Sequence, residues 1–275
     1  MACRPSAASG LPRVDFREKL GIYAMDGALL GLFMVSACVN VVVLEHPASP
    51  VHAAITSALV RRVLVGLAMG LTAAALIYSP WGKRSGAFMN PAMVLCFLRL
   101  GRLSLFDAAG YIAAELIGSA SGVLLAALLL PGLVSDPAVN YVTTTPVGGV
   151  GPAFLAEFCL AFVMLSVVMT VNRVPRLAPY TGACAAVLVA LFISLAAPIS
   201  GMSINPARSF GSAVCARLWV GFWIYLSAPL LGMLAGVELQ RRLTNRHQRL
   251  CGKLNHDETI TCFVRCDCLK EPAHG

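Results

Sequence analysis

The chain has 275 residues, of which 58% are hydrophobic and 12% charged. A soluble domain carries roughly 25% charge, so an ordinary soluble globule is excluded, and no long polar block is left to build a second folded domain. The net charge of +8 suits basic loops held on one side of a membrane; with no aromatic-basic interleaving and no RNA- or DNA-binding motif, it does not point to nucleic acid.

Residues 1–20 are polar and carry Arg4, Arg13, Arg17 and Lys19. The apolar run that follows, about 22–44, is too long for the core of a signal peptide and has no convincing small-residue cleavage site after it. It reads as a retained transmembrane helix, and no cleavable leader is expected. Further spans of roughly 20 residues, the length a bilayer core needs, fall near 58–78, 107–130, 153–172, 180–199 and 219–239. Two shorter apolar pieces remain, about 90–99 and 205–214. At ~1.5 Å per residue such pieces cross only about half of the hydrocarbon, so each is expected as a half-helix. Irregular backbone beside them is tolerated at membrane depth only where it is buried in protein or lines a wet cavity.

Basic residues set the orientation. The N-terminal segment, the 81–84 connection with Lys83 and Arg84, the 173–176 connection with Arg173 and Arg176, and the tail 241–275 are all basic. The connection from Pro131 to Pro152 has no Lys or Arg. Six spans with both termini cytoplasmic satisfy this pattern, in a plasma or inner membrane. Arg61 and Arg62 sit at the opposite end and are expected to snorkel at the interface or to attract solutes to the outer mouth.

Both short pieces open on the same motif. Ser85-Gly86-Ala87-Phe88-Met89-Asn90-Pro91-Ala92 has a counterpart in Ser200-Gly201-Met202-Ser203-Ile204-Asn205-Pro206-Ala207. Asn is a good N-cap and Pro suits the first helical position. Each motif therefore starts a helix, leaving N–H groups and partial positive charge at its tip. The two Asn are 115 residues apart, and each half holds an acid-bearing first span, a second span, a half-helix and a third span. Three spans per half reverse the entry side of the second half. The halves, about 21–130 and 153–240, thus form an inverted repeat that brings the two tips together near the midplane.

Two such motifs in inverted halves of six spans resemble the aquaporin, or major intrinsic protein, family. The string from Gly201 to Val214 is very similar to the family's second motif, and Tyr111-Ile112-Ala113-Ala114-Glu115-Leu116-Ile117-Gly118 resembles its third helix, with Glu115 where the family usually has Gln. The match covers about residues 20–240. The resemblance implies an all-α membrane fold of six transmembrane helices plus two half-helices. It implies a passive channel for water and small uncharged solutes, a homotetramer in the lipid bilayer, and neither cofactor nor enzymatic activity.

The resemblance also assigns roles. Asn90, Pro91, Ala92, Asn205, Pro206 and Ala207 form the pore motifs, and the Asn amides donate to the permeating molecule. Arg208 walls the outer constriction, and offsets from the motifs add Gly70, Ile193 and Met202 to that filter. Gly and Ile where water-selective members carry a bulky aromatic and a His imply a wider, more apolar opening, which Met202 narrows again. Ser209, where glycerol-conducting members commonly have Asp, points back toward water. Asp26 and Glu157 are read as structural acids that accept from the half-helix loops.

Two other classes stay open. An ion-coupled secondary transporter also uses inverted repeats and broken helices, and it would use intramembrane acids as a proton relay. A wide-filter facilitator for glycerol, urea or metalloid hydroxides is the neighbouring alternative. The tail supplies Cys251, His256, Cys262, Cys266 and Cys268, a weak candidate metal set without a Cys-x-x-Cys, and no metal is expected there. A membrane-tethered sensor working through that tail is the third class. Cys38, Cys96, Cys159 and Cys184 are expected as small core hydrophobes, with Cys215 accessible near the outer end of the second half-helix.

Overall fold

Most helices in the first half of this chain, and the second half-helix, begin where a Ser, Asp or Asn side chain caps the first turn. The computed structural model describes residues 15–174, 176–243 and 253. Asp15 heads α1 (Phe16–Glu45), Ser49 caps α2 (Pro50–Ala54), Ser57 caps α3 (Ala58–Tyr78) and Ser79 caps α4 (Pro80–Ser85). Asn90 caps α5 (Pro91–Arg99) and Ser104 caps α6 (Leu105–Leu129). Then follow α7 (Val150–Arg173), α8 (Thr181–Ser200), α9 (Pro206–Ala216) capped by Asn205, and α10 (Phe222–Leu243). Six of these helices are long and apolar enough to cross a membrane, and no strand occurs among the described residues.

The observed helices follow the expected spans to within a turn, except α1. It starts at Phe16, well before the apolar run, because its polar first turns find partners: Glu18 pairs with Arg84 at 3.1 Å and Lys19 with Asp107 at 2.6 Å. The 81–84 connection is also more ordered than expected. It is α4, with Pro80 at the first position and Ser79 Oγ accepting from the Gly82 N–H at 3.0 Å. The matching Ser-Pro at Ser49 and Pro50 starts α2.

Three helix pairs carry the bundle: α1 on α6, α7 on α10, and α3 on α8. The first two are equivalent pairs of the two halves, and the third joins the halves across their pseudo-two-fold axis. Each half-helix reaches over to the third span of the opposite half, α9 onto α6 and α5 onto α10. Lipid supplies no hydrophobic drive between helices, so close backbone approach through small residues does that work. A methyl added at Gly118 would overlap the Gly27 carbonyl on α1, and one added at Gly232 would overlap the Phe158 carbonyl on α7. The outward faces stay apolar, with Leu71, Leu105, Leu128 and Leu195 each about 70% exposed to their surroundings (72%, 74%, 69% and 71%).

Charged residues gather at the two ends. At the end bearing Lys19 and Arg84, Arg99 pairs with Glu238 at 2.8 Å, and Arg241 with the same carboxylate at 3.2 Å. Lys253 lies at this end also, its carbonyl accepting from Asn172 Nδ2 at 2.8 Å and its Nζ donating to the Lys83 carbonyl at 3.0 Å. At the other end Arg61 departs from the snorkelling role expected of it. It is buried, with Nε on Glu45 at 3.0 Å and Nη1 on the Ile55 and Thr56 carbonyls at 2.7 and 3.1 Å, so it ties the α2–α3 connection to α1.

Candidate functional site

The two loops that precede the half-helices share one backbone plan. Gly86, Ala87 and Met89 have φ of 102°, 54° and 46°; Gly201, Met202 and Ile204 have 74°, 49° and 48°. These are the same three offsets before each Asn. Left-handed backbone costs a non-glycine residue roughly 1–3 kcal/mol and persists only where the surroundings enforce it. Ile204, being β-branched, is the least willing of the four.

Two buried acids do the enforcing. Asp26 on α1 accepts from Ser85 Oγ (2.9 Å), the Phe88 N–H (3.1 Å) and the Met89 N–H (2.8 Å). Glu157 on α7 accepts from Ser200 Oγ (2.7 Å), the Ser203 N–H (2.9 Å) and the Ile204 N–H (2.6 Å). The partner sets correspond residue for residue between the halves. A tyrosine completes each: the Tyr111 hydroxyl donates to the Ser85 carbonyl and the Tyr225 hydroxyl to the Ser200 carbonyl. Asp26 performs the full role despite being one methylene shorter than Glu157.

The half-helix tips meet. Asn90 Oδ1 accepts from the Ala92 N–H at 3.0 Å, and Asn205 Oδ1 from the Ala207 and Arg208 N–H groups at 3.1 and 3.2 Å. Capping through oxygen turns each amide nitrogen toward the other half. Asn90 Nδ2 donates to the Ile204 carbonyl at 2.8 Å, and Asn205 Nδ2 donates to the Met89 carbonyl at 2.6 Å. Each amide has two hydrogens, so one remains after this cross-tie.

Both Asn line a cavity of about 480 Å³. From the end bearing Glu45 and Arg62 it runs past Val65, Met69, Ile193, Met202 and Arg208, then the two Asn, to Ile77, Met164 and Ala185. Three of the four expected filter residues, Ile193, Met202 and Arg208, line it. Gly70 does not. It turns onto α8, where an added Cβ would lie 2.6 Å from the Ala186 carbonyl, and the cavity face of α3 runs through Val65, Met69 and Ala73 instead. On this helix the side chain that lines the cavity next to the expected filter position is Met69. Pro91, Ala92, Pro206 and Ala207 are buried behind the tips.

Among the described residues Arg208 has no carboxylate within salt-bridge distance and its buried Nη1 has no hydrogen-bond partner. A buried charge is expensive and usually functional, and Arg208 is among the residues that line the cavity. Glu115 breaks the symmetry of the halves. Its Oε1 accepts from the Asn90 N–H at 2.8 Å, whereas the Asn205 N–H is served by Ser203 Oγ at 3.3 Å.

Ser209 also has a structural partner set. Its Oγ is 2.6 Å from Ser203 Oγ and 2.7 Å from Thr144 Oγ1, so it fastens the α6–α7 connection to the second loop. Ser209→Ala is expected to lower stability by about 1 kcal/mol, read as a lower unfolding temperature of the detergent-purified protein. An unshifted transition would show that this junction is held elsewhere.

Sequence reasoning placed the motifs but missed Met69 and the Thr144–Ser209–Ser203 chain, for which only the Thr- and Ser-rich character of these stretches gave a signal. Cys38 and Cys96 are buried as expected, but Cys159 is exposed on the outer face of α7 and Cys184 is half-buried, because α7 and α8 face the core with other residues. Cys251, His256, Cys262, Cys266 and Cys268 lie outside the described residues. Among the described residues no cluster of three or more His, Cys, Asp or Glu side chains could hold a metal ion.

The family model described as Major intrinsic protein matches residues 25–239. The chain is 34% identical to Aquaporin NIP1-2 of Arabidopsis thaliana over 155 residues, 54% of this chain and 52% of that protein. It is 32% identical over 151 residues to Glycerol uptake facilitator protein-like 6 of Lactiplantibacillus plantarum, covering 54% of this chain and 69% of that one. The chain spans about half the length of the first curated relatives it matches. In fold it is similar to the X-ray structure of the aquaglyceroporin from Plasmodium falciparum, with a TM-score of 0.61 and 19% identity over 81% of this chain and 96% of that one.

Proposed function

The chain belongs to the major intrinsic protein family, and from that premise we propose that it is a passive channel for water and small uncharged solutes that rejects ions and protons. The observation that carries this reading is the reciprocal tie of Asn90 and Asn205 at the waist of one cavity. Each Asn keeps one N–H for a passing molecule. A water there accepts from both, so its own hydrogens point away toward the two ends and it cannot relay a proton through the waist. The two helix tips add about half a positive charge each at the same place, which opposes cations. Arg208 adds a full charge at the constriction. These features favour a channel over an ion-coupled transporter, since Asp26 and Glu157 are spent on loop backbone and neither lines the cavity.

The constriction is apolar on three sides, Met69, Ile193 and Met202, with Arg208 as its donor. Methionine at the α3 wall makes it narrower than glycine would, which favours water, while the scarcity of donors leaves room for small solutes with an apolar edge. The names of its relatives, aquaporin and glycerol uptake facilitator, bracket the same two solutes. The concentration of Lys and Arg at the end of Lys19, Arg84 and Arg241 supports cytoplasmic termini. The apolar outer faces fit a homotetramer in the bilayer with one conduit per subunit.

The test is stopped-flow permeability of the purified protein in liposomes to water, glycerol and urea. Ile193→His, which introduces a donor and bulk, is expected to lower the glycerol-to-water ratio roughly tenfold, the effect of about 1.4 kcal/mol at a pocket wall. An unchanged ratio would remove Ile193 from the filter. Saturable, gradient-coupled flux would replace the channel reading by the transporter.

A further inference from the structure

Five of the chain's ten methionines line one cavity: Met69, Met89, Met93, Met164 and Met202. We propose that this lining is an oxidation site, at which hydrogen peroxide entering with water converts thioethers to sulfoxides and so closes the conduit. The proposal rests on the channel reading above.

The distribution of methionine is the first support. Met202 and Met89 occupy left-handed backbone positions in the two loops, where no property of methionine favours it over a smaller residue. Backbone demands therefore do not account for the residue type. Met69, Met93, Met164 and Met202 are 2%, 4%, 5% and 6% exposed, and the space they face is the cavity. An oxidant can reach them only through the lumen, so it must be uncharged and close to water in size. Hydrogen peroxide meets both conditions. Met34, Met169 and Met233 are fully buried outside the cavity lining and provide an internal comparison within the same molecule.

The chemistry needs no further catalyst. A sulfur lone pair attacks one peroxide oxygen and the O–O bond breaks. The hydroxide that leaves takes the proton from the new S–OH, giving sulfoxide and water. Sulfur is oxidised by two electrons and the peroxide is reduced by two. The product is polar, one oxygen larger and a good acceptor. Arg208 lines the same cavity as Met202 and forms no salt bridge among the described residues. A sulfoxide there gains a charge-assisted hydrogen bond and holds its bulk across the narrowest part of the lumen. At Met89, adjacent to Asn90, a sulfoxide competes with water for the amide N–H groups of the waist. These side chains line a lumen too narrow for a protein, with Met69 Sδ also accepting from Ser36 Oγ at 3.9 Å, so a methionine sulfoxide reductase cannot reach them in the folded channel and the closure persists.

The experiment uses full-length protein in liposomes. Water permeability is measured first, which tests the channel reading alone. The vesicles are then treated with millimolar hydrogen peroxide, quenched, and measured again, and oxygen addition is mapped by peptide mass spectrometry. The five lumen methionines are expected to oxidise at least about tenfold faster than Met34, Met169 and Met233, with water permeability falling about threefold or more. The double variant Met89→Leu with Met202→Leu is expected to keep most of its own starting permeability after treatment. Equal oxidation of lumen and core methionines, or full lumen oxidation with unchanged permeability, would overturn the proposal whether or not the double variant folds. A protein with no initial water permeability would instead overturn the channel reading, and the order of oxidation would still decide whether the lumen admits peroxide.

Discussion

Arg208→Ala is expected to let protons and small cations leak through a conduit that otherwise rejects them. The guanidinium lines the cavity at the second half-helix and forms no salt bridge among the described residues, although the Glu157 carboxylate lies near enough to act on it through space. At about 5 Å from a passing cation, in surroundings of effective dielectric near 20, one charge raises the barrier by roughly 3 kcal/mol, or about a hundredfold in rate. Water, being neutral, loses only one donor on its path. The measurement is proton flux into liposomes carrying a pH-sensitive dye, with water permeability read in the same vesicles. Arg208→Lys keeps the charge and is expected to keep most of the exclusion while altering solute preference, because the ammonium lacks the planar fork of donors. A leak no larger than that of empty liposomes in Arg208→Ala would move the cation barrier to the Asn tips.

Glu157→Ala is expected to cost the protein most of its stability and its conductance. The carboxylate holds Ser200 Oγ and the Ser203 and Ile204 N–H groups, all buried, and keeps Ile204 in a backbone conformation it would otherwise leave. Each buried donor left unsatisfied costs about 1–3 kcal/mol, so the three together approach roughly 5 kcal/mol, a large share of what keeps a typical domain folded. The Ile204 carbonyl would also lose its position for Asn90 Nδ2, which links the damage to the waist. Glu157→Asp supplies the carboxylate that the other half uses at Asp26, and it is expected to retain a measurable part of both stability and permeability. Unfolding temperature and recovered yield report the first effect, and stopped-flow water flux the second. Wild-type values in Glu157→Ala would refute the anchoring role.

How much of this could be read from the chain follows from how local each signal is. The six spans and two half-helices were legible because hydrophobic length and Asn-Pro capping act within a few residues. The structural acids were legible because an unpaired carboxylate in apolar sequence demands a partner. What the sequence left open depended on helix phase. Gly70 and Met69 differ by one step, about 100° around α3, and only the packing of Gly70 against the Ala186 carbonyl decides which faces the lumen. Cys159 misled for the same reason, since a uniformly apolar span gives no sign of its inward face. Arg61 was placed at the right depth, but its burial depends on Glu45 and on two carbonyls of a connection that carries no motif. The cross-ties at the waist were not foreseen, although the capping geometry of Asn implies them once the tips are known to touch.

Those cross-ties have a bearing on biogenesis. Met89 waits for a hydrogen bond from a residue that the ribosome delivers more than a hundred positions later, and Asn90 waits for a carbonyl equally far downstream. A nascent polypeptide holding only the first three spans therefore has an unfinished waist. The same interdependence makes the two halves mutual templates: synthesised as separate polypeptides, each carries the partners the other lacks.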